Sequence, residues 1–368
     1  MRYRLTALTP TLIGDGQRLA PIDYMVWKDH VNVLDQRRIF RLLAKGPRLD
    51  GYLAQLKKAE KLDFASWGGF AQNFAGRRIP FEHPSAIPPW EKARPENLFI
   101  PTFAVSPSGP YVPGTAIKGA LRTGAVHDRW SEATMRDLAA RIAAEDRAPR
   151  NPAVKAEDAV LGGSGTSRMR RVSAGDSAPM DHSPFKVYLL RVSTLVARGP
   201  DKFELAWKSA RGSVDTRKIE ESTPIFAEMA VPGTSFEGSW QERSVADRAK
   251  LFQASNRYAA ALVAHHQRYA QWAGLARMAA LLGQLVERLS EIGNRQDVCL
   301  LSIGWGGGLL GKSAYLETQN ESYRTILRSM PLYQKAIQTG LPFPKTRRIV
   351  FQDGHPTSLP GWVMLQVG

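Results

Sequence analysis

A chain of 368 residues, of which 43% are apolar, is long enough for two hydrophobic cores and too apolar to be disordered. Its 50 Lys and Arg residues against 34 Asp and Glu give a net charge of +16, which attracts polyanions. Nucleic acid is the first candidate ligand, ahead of an anionic membrane. The single Cys299 excludes an internal disulfide framework, and the absence of a signal-peptide pattern or an apolar run of about 18 residues predicts a cytoplasmic protein with no membrane span.

The first third of the chain predicts short strands, one hairpin and two helices. Apolar residues alternate over residues 3–8 and again over residues 24–34, which is typical of a strand followed by a hairpin. Helical periodicity covers residues 37–45 and 49–61. Residues 76–114 are rich in Pro and carry few periodic signals, so loops and short strands are predicted there.

Two helices and a long loop are predicted next. Residues 116–130 and 132–147 have helical periodicity, and Thr115 is a natural N-cap for the first of these helices. Residues 148–184 lose all periodicity and are rich in Gly, Ser, Arg and Pro. This composition indicates a basic segment that is either a mobile loop or an inserted hairpin.

Strand patterns return before the longest helical segment. Period-two alternation covers four runs, at residues 185–196, 203–207, 225–231 and 234–240. Residues 245–292 contain no proline and much Ala and Leu. They predict one long helix or two stacked helices, closed by Gly293.

The last part of the sequence adds a strand, a glycine-rich loop and a helix. Residues 298–303 predict a buried strand, and residues 323–330 a short helix. Residues 349–351 and 362–367 predict a final hairpin. Because strands and helices interleave through short connections, the predicted fold class is α+β and not a long parallel sheet.

The segment YVPGTAIKGALRT, at Tyr111–Thr123, is the first candidate binding site. A Pro-Gly turn leads into a helix whose first amides are unpaired, and such an end attracts a phosphate. Lys118 and Arg122 are four residues apart and share a helix face, where they would hold an RNA backbone. Gly114 and Thr115 complete this candidate site. An ordinary capped helix with a solvated basic face is the alternative.

The segment IGWGGGLLGKS, at residues 303–313, satisfies the phosphate-loop pattern GxxxxGK[ST] after an apolar strand. A nucleotide-binding loop also needs a second parallel strand that ends in Asp, and Asp353 and Asp35 are poor candidates because neither follows such a strand. The same glycine amides, with Lys312, can instead contact RNA phosphates without hydrolysis. The candidate RNA contacts in this loop are Gly306, Gly307, Gly308 and Lys312.

Two basic clusters lie beside predicted strands, SRMRRVS at residues 167–173 and PKTRR at residues 344–348. Arg can bind a phosphate through two parallel N–H donors or stack on a base, which suits a single-stranded RNA. Solvated surface charge is the alternative for both. The candidate contacts are Arg168, Arg170, Arg171, Lys345, Arg347 and Arg348.

The sequence shows no catalytic or metal-binding pattern. Its seven histidines have no metal-ligand spacing, because His265 and His266 are adjacent and the others stand alone. No nucleophile elbow and no paired carboxylates can be nominated. We therefore expect no metal, no cofactor and no enzymatic activity.

Six motifs occur in order along the sequence: LTPTLIGDGQ at residues 8–17, IDYMV at 22–26, YVPGTAIKGALRT at 111–123, RVSAGDSAP at 171–179, IGWGGGLLGKS at 303–313 and LPFPKTRR at 341–348. Together they resemble the RAMP superfamily over nearly the whole chain. Their order and spacing are similar to those of the head subunits of type III-A CRISPR (Csm) complexes. RVSAGDSAP departs from the family, because it carries two extra residues where the family tends to have RVSDS.

This resemblance implies two ferredoxin-like (RNA-recognition-like) domains with helical insertions and glycine-rich loops. They would cover residues 1–200, with the basic loop 148–184, and residues 201–368, with the helical segment 245–292. The resemblance also implies a non-catalytic subunit that binds the guide RNA (crRNA) near its 3′ end and caps the filament of backbone subunits. The implied partners are crRNA, target RNA, the backbone RAMP subunit and the small subunit, with no membrane.

Two alternatives remain beside this hypothesis. One is a metal-independent RAMP endoribonuclease that processes the guide RNA, for which His127 and His182 are the only loosely placed general bases. The other is a phosphate-loop NTPase built on residues 306–313.

Overall fold

The computed structural model describes residues 1–46, 48–58, 73–144, 153–163, 165–209, 215–334, 336–337 and 340–368. Helices and strands interleave along the sequence, which confirms the predicted α+β class. The helices are α1 Gln36–Leu43, α2 Arg48–Lys58, α3 Ile87–Lys92, α4 Gly114–His127, α5 Glu132–Ala143, α6 Val154–Leu161, α7 Val245–Ala273, α8 Ala276–Ile292, α9 Glu321–Ser329 and α10 Pro331–Gln334. The strands are β1 Arg2–Ala7, β2 Arg18–Leu19, β3 Tyr24–Trp27, β4 His30–Leu34, β5 Ala75–Pro80, β6 Ile100–Pro101, β7 Val105–Ser106, β8 Gly109–Pro110, β9 Val172–Ser177, β10 Phe185–Gly199, β11 Lys202–Trp207, β12 Ile225–Ala230, β13 Ser235–Glu242, β14 Val298–Ser302, β15 Thr346–Gln352, β16 His355–Ser358 and β17 Trp362–Val367.

The predicted helical segment 245–292 forms two helices, α7 and α8, which pack against each other. α7 begins after Ser244, whose side-chain oxygen accepts a hydrogen bond from the backbone N–H of Asp247 at 3.2 Å. It ends where Gly274 adopts a φ of 64°, a left-handed conformation that costs glycine little. α8 ends at Gly293, as predicted. No helix in the described part of the chain is long and apolar enough to cross a membrane.

The first large sheet is antiparallel and has the strand order β14-β17-β1-β13-β9. β1 lies at its centre, with Leu5 opposite Phe236 of β13 on one side and opposite Leu365 of β17 on the other. The N-terminal strand is therefore hydrogen-bonded between two strands from the C-terminal half of the protein.

The second large sheet is built around β10, the longest strand. Along one edge β10 pairs with β15, which in turn pairs with β16. Along the other edge the first part of β10 pairs with β12 and its last part pairs with β11. The β10–β11 hairpin crosses the predicted domain boundary at residue 200. Each large sheet combines strands from both sides of that position, so the boundary does not separate one sheet from the other. The two ferredoxin-like domains stay a prediction.

Both faces of the central strands are buried. Successive residues of each strand point to opposite faces, and each face packs into a different hydrophobic core. In β10, Val187 and Leu189 belong to the first core, whereas Tyr188 and Leu190 belong to the second. β14 and β15 alternate in the same way, and α7 contributes side chains to both cores. Burial on two faces explains why the alternation predicted for β10 is interrupted by the apolar run at residues 187–190, and why β14 is apolar over most of its length.

A smaller antiparallel sheet of β3, β4 and β5 packs beside α1 and α2. Its core includes the buried Met25, Ile39 and Tyr52. The carboxylate of Asp35 caps α1 by accepting a hydrogen bond from the backbone N–H of Arg38 at 3.0 Å. Asp35 thus has a structural role, in agreement with its poor fit to a magnesium ligand.

The segment predicted as a loop at residues 148–184 contains regular structure where the structure describes it. Residues 154–161 form α6 and residues 172–177 form β9, the edge strand of the first sheet. Trp240 of β13 lies opposite Ala174 in this pairing. Residues 148–152 and 164 lie outside the described residues. β9 was missed because its pairing partner lies far away in the sequence.

The final hairpin predicted from residues 349–351 and 362–367 is wrong, although both runs are strands. β15 pairs with β10 and β16 in the second sheet. β17 pairs with β1 and β14 in the first sheet. The hairpin at this end of the protein is β15–β16, and the backbone then crosses to the other sheet before β17.

The buried ion pair between Arg77 and Glu228 provides a test of the packing between β5 and β12. Glu228 is fully buried, so Arg77→Ala leaves a carboxylate in the core without its counter-ion. We expect the free energy of unfolding, measured by urea denaturation, to fall by about 3–5 kcal/mol. As a control, Arg288→Ala removes only the exposed pair with Glu291 and should cost less than about 1 kcal/mol. Equal stabilities of the two variants would contradict this assignment.

Candidate nucleic-acid interface

The glycine-rich loop that follows β14 is packed tightly onto the rest of the protein. Gly304 and Gly306 have φ values of 80° and 98°, which favour glycine. A Cβ on Gly304 would lie 2.2 Å from the carbonyl oxygen of Leu12, and one on Gly306 would lie 2.6 Å from Cγ of Pro360. The backbone N–H of Trp305 donates to the carbonyl oxygen of Leu12 at 2.8 Å. The glycines thus allow the loop to fit against the segment after β1, at Leu12, and the segment before β17, at Pro360.

The PKTRR motif leads into β15, where adjacent arginines have different surroundings. The guanidinium of Arg347 lies 4.5 Å from the ring centroid of Tyr269 on α7. Its Nη1 donates to the carbonyl oxygen of Pro344 at 2.7 Å, and its Nε donates to Nδ1 of His266 at 3.1 Å. Burial lowers the pKa of Arg347 to about 10, so the side chain stays charged at neutral pH. Its Nη1 and Nε donors are thus engaged within the protein.

Arg348, in contrast, retains an unused donor. Its guanidinium lies over the indole ring of Trp305, 4.3 Å from the centroid. Its Nε is buried and has no hydrogen-bond partner among the described residues. Burial lowers the pKa of this group.

The glycine-rich loop and the basic strand meet at one cavity of about 370 Å³. Its wall includes Gly306, Gly307 and Gly308 from the loop, and Arg347 and Arg348 from β15. Two motifs that the sequence predicted separately therefore form one site. Trp305, which the sequence analysis missed, orients Arg348. An aromatic residue inside a glycine-rich loop was the available signal.

Lys312 and Lys345, predicted in the same two motifs, lie outside the lining of this cavity. Lys312 is exposed at the end of a 3₁₀ turn, Leu310–Lys312. Burial and the nearby Lys208 lower the pKa of Lys345.

The loop does not have phosphate-loop geometry. A phosphate loop connects a parallel strand to an α-helix. Here β14 pairs antiparallel with β17, and the loop enters the short 3₁₀ turn in place of a helix. Asp353, the late candidate for a magnesium ligand, lies in the turn between β15 and β16 with a φ of 50°. The match to the pattern is one of sequence only.

The predicted phosphate site at the start of α4 is already occupied by a protein carboxylate. Oδ1 of Asp176 accepts a hydrogen bond from the backbone N–H of Gly114 at 2.8 Å. Gly114 is buried, and a Cβ there would lie 2.1 Å from the carbonyl oxygen of Ala174. Thr115 lies inside the helix and Pro113 is the N-cap residue, so the prediction of Thr115 as N-cap is wrong. The negative charge of Asp176 opposes phosphate binding at this end.

Lys118 and Arg122 project from the same helix, as predicted, but differ in their contacts. Arg122 is exposed and forms an ion pair with Glu157 of α6. Lys118 is half-buried, and no ion pair is recorded for it among the described residues. A ligand phosphate would therefore compete with Glu157 for Arg122.

A second cavity, of about 440 Å³, gathers cations from three parts of the sequence. Arg168 and Arg171, from the predicted basic cluster, line it, whereas Arg170 is exposed and donates to the carbonyl oxygen of Gly165 at 3.1 Å. Three further cations in its lining, Arg129, Lys250 and Arg257, were not predicted from the sequence.

Carboxylates neutralise only part of this charge. Asp247 pairs with Arg171 at 3.0 Å, and Asp128 pairs with Arg257 at 2.6 Å. Within the described residues, no ion pair is recorded for the remaining Arg129, Arg168 and Lys250. Lys250 and Arg257 are seven residues apart on α7 and so share a helix face, which was the signal available in the sequence.

Of the two histidines considered as general bases, His127 is hydrogen-bonded to a backbone carbonyl and His182 is half-buried. Nδ1 of His127 donates to the carbonyl oxygen of Ala314 at 2.7 Å, and its ring packs edge-on against Tyr258. Burial and the nearby Arg77 lower the pKa of His182. The described residues contain no cluster of three or more His, Cys, Asp or Glu side chains able to hold a metal ion.

Comparison with known proteins decides the family. The family model described as the RAMP superfamily matches residues 4–253, well over half of the chain. The chain belongs to the RAMP superfamily. Among curated protein sequences, none matches this RAMP protein.

Two solved structures share the fold of this RAMP protein over its full length. One is a subunit in a cryo-EM structure of a Csm-crRNA-target RNA ternary complex from a type III-A CRISPR-Cas system, with 18% identity, 100% coverage of both proteins and a TM-score of 0.66. The other is the crystal structure of Csm5 from T. onnurineus, with 17% identity, coverage of 98% and 99%, and a TM-score of 0.63. At such identities the similarity shows the fold.

The Asp176 cap can be tested by its effect on stability. Asp176→Ala removes the acceptor that satisfies the first amide of α4, so we expect the free energy of unfolding in urea to fall by about 1 kcal/mol. Asp158→Ala removes an exposed carboxylate from α6 and should change it by less than about 0.5 kcal/mol. A loss no larger for Asp176→Ala than for this control would show that the cap contributes nothing.

Proposed function

We propose that this RAMP protein is a non-catalytic subunit of a type III CRISPR complex that binds the guide RNA at its 3′ end. The observation that carries the proposal is the cavity in which the glycine-rich loop meets Arg348 stacked on Trp305. The fold shared with Csm5 and with a subunit of a Csm-crRNA-target RNA complex supports it. By this proposal, crRNA, target RNA, the backbone RAMP subunit and the small subunit are the partners.

Single-stranded RNA matches the chemistry of the cavity. The guanidinium of Arg348 lines the cavity and can donate to a phosphate or base oxygen, and Trp305 keeps it in place. Arg also stacks on bases, which tolerates any guide sequence. The glycine backbone lets a ribose-phosphate strand approach closely. Arg347 supports this wall from the α7 side, because its donors are engaged by Pro344 and His266.

The second, basic cavity extends the proposed RNA contact. Arg129, Arg168 and Lys250 can neutralise phosphates without breaking an ion pair that the structure records. Each phosphate that a cation neutralises releases counter-ions, which makes binding sensitive to salt. Lys118, Arg122, Arg170 and Lys312 remain proposed contacts along the exposed surface. Gly114 and Thr115 would position α4.

The proposed architecture includes two ferredoxin-like domains. Two five-stranded antiparallel sheets, with α4 and α7 packed beside them, support it. Strands from both sides of residue 200 share each sheet, so these domains would not be separable at that position.

The proposed RNA contact predicts a loss of affinity in Arg348→Ala. This variant removes a charged donor, so we expect binding of a labelled single-stranded RNA, measured by fluorescence anisotropy, to weaken about tenfold or more. The triple variant Arg129→Ala, Arg168→Ala and Lys250→Ala should reduce the slope of log affinity against log salt by about 2, since each lost phosphate contact changes it by about 0.7.

A matched control removes the same charge elsewhere. Arg141, Lys202 and Arg277 are exposed, lie outside both cavities and form no recorded ion pair within the described residues. The triple alanine variant at these positions should leave the salt slope nearly unchanged. If both triple variants lowered the slope equally, the net charge and not the second cavity would govern binding. Unchanged affinity in Arg348→Ala would exclude the first cavity as an RNA site.

The endoribonuclease and NTPase alternatives predict activities that we expect to be absent. The loop at residues 306–313 lacks phosphate-loop geometry, and Nε2 is the ring nitrogen of His127 left to act as a base, because Nδ1 donates to Ala314. Purified protein should leave a precursor RNA intact on a denaturing gel, beside an alkaline ladder as control. It should not bind ATP in a calorimetric titration. Cleavage products that disappear in His127→Ala or His182→Ala would establish the nuclease instead.

A further inference from the structure

A cleft of about 680 Å³ lies apart from both proposed RNA cavities. Its floor is the second sheet, where Leu189 and Arg191 of β10 and Phe351 of β15 line it. One wall comes from residues 85–97 and the other from residues 219–224. Of its lining residues, none belongs to a motif that the sequence analysis singled out.

Arg191 on this floor is a buried cation with an unused donor. It is only 3% exposed. Its Nη1 donates to the carbonyl oxygen of Ser222 at 2.6 Å and to the hydroxyl of Ser222 at 2.7 Å. Its guanidinium lies 5.8 Å from the ring centroid of Phe351. Its Nε is buried and has no hydrogen-bond partner among the described residues.

No carboxylate within the described residues forms an ion pair with Arg191. Burial lowers the pKa of Arg191 to about 10, while attraction to the negative charge of Glu220 opposes this shift, so the side chain is charged at neutral pH. A buried charge without a counter-ion is costly, and an unsatisfied N–H adds to that cost. A carboxylate fits this vacant edge, because it accepts parallel hydrogen bonds from a guanidinium.

The rim of the cleft opposes a nucleic-acid ligand. Glu220 and Glu221 line one side, and Lys92 and Arg94 line the other. The two acids would repel a phosphodiester strand that followed the cleft, whereas a single carboxylate at the floor avoids them. Proline and aliphatic side chains, including Pro88 and Ile219, form much of the remaining wall. The cleft therefore complements one negative group with apolar neighbours.

We propose that this cleft binds a protein segment that presents one carboxylate to Arg191, flanked by apolar residues that pack on the cleft walls. The carboxylate belongs to an Asp or Glu side chain of a partner protein or to its C-terminus. This inference stands independently of RNA binding, because it uses none of the proposed RNA contacts.

The test follows the Nε–H resonance of Arg191 in the full-length protein by NMR, assigned by its loss in Arg191→Lys. The probes are 3-phenylpropionate, its neutral analogue 3-phenylpropanamide, inorganic phosphate and uridine monophosphate. We expect a saturable shift with 3-phenylpropionate and affinity at least about tenfold weaker for the amide, since a charged hydrogen bond is lost. Stronger binding of uridine monophosphate or phosphate would overturn the proposal in favour of a nucleotide site. No saturable shift with any probe would also overturn it.

Two variants separate binding from folding. Arg191→Lys keeps the charge but loses the vacant Nε edge, so 3-phenylpropionate binding, monitored by calorimetry, should weaken about tenfold or more. Glu220→Gln removes a negative charge from the rim and should strengthen binding of the same probe. Because this variant keeps Arg191, its result does not depend on whether the Arg191 variants fold. Weaker or unchanged binding in Glu220→Gln would contradict the proposed charge complementarity.

Discussion

The pairing of β1 between β13 and β17 joins the two ends of the protein and determines where the proposed RNA site forms. β17 also pairs with β14, so the glycine-rich loop leaves the first sheet at a fixed position. β10 holds β15 in the second sheet in the same way. Both faces of β14 and β15 are buried. A shift of either strand would therefore expose apolar surface, at a free-energy cost of about 25 cal/mol per Å². The cavity between loop and basic strand is thus stabilised by contacts outside it.

The net charge of +16 does not form a uniform basic surface. Arg347 donates to groups within the protein, and Arg122 and Arg171 pair with carboxylates. A ligand that binds such a cation has to displace an existing partner, which offsets much of the interaction energy. Two of the buried donors that have no hydrogen-bond partner within the described residues, the Nε groups of Arg348 and Arg191, require no such displacement. Their different surroundings suit different ligands, because one lies beside glycine backbone and the other beside acids and prolines.

Local sequence patterns were sufficient wherever the interactions that stabilise an element are local. The end of α8 follows from Gly293, and the strands β10 to β13 follow from their strand-like runs, whereas the sequence left open whether residues 245–292 form one helix or two. The edge strand β9 and the true partner of β17 depend on residues distant in the sequence, so their patterns predicted a loop and a hairpin. The start of α4 shows the same limit, since Asp176, 62 residues away, satisfies the amide of Gly114.

By itself the sequence determined the α+β class, the resemblance to the RAMP superfamily and the basic character of the protein. The tertiary structure decided which cations remain available. Arg347 and Arg348 are adjacent and chemically identical, yet alternation along β15 turns one toward α7 and the other toward the glycine-rich loop. Sequence cannot distinguish them, because the burial of a residue and its hydrogen-bond partners depend on which elements cover each face of a strand.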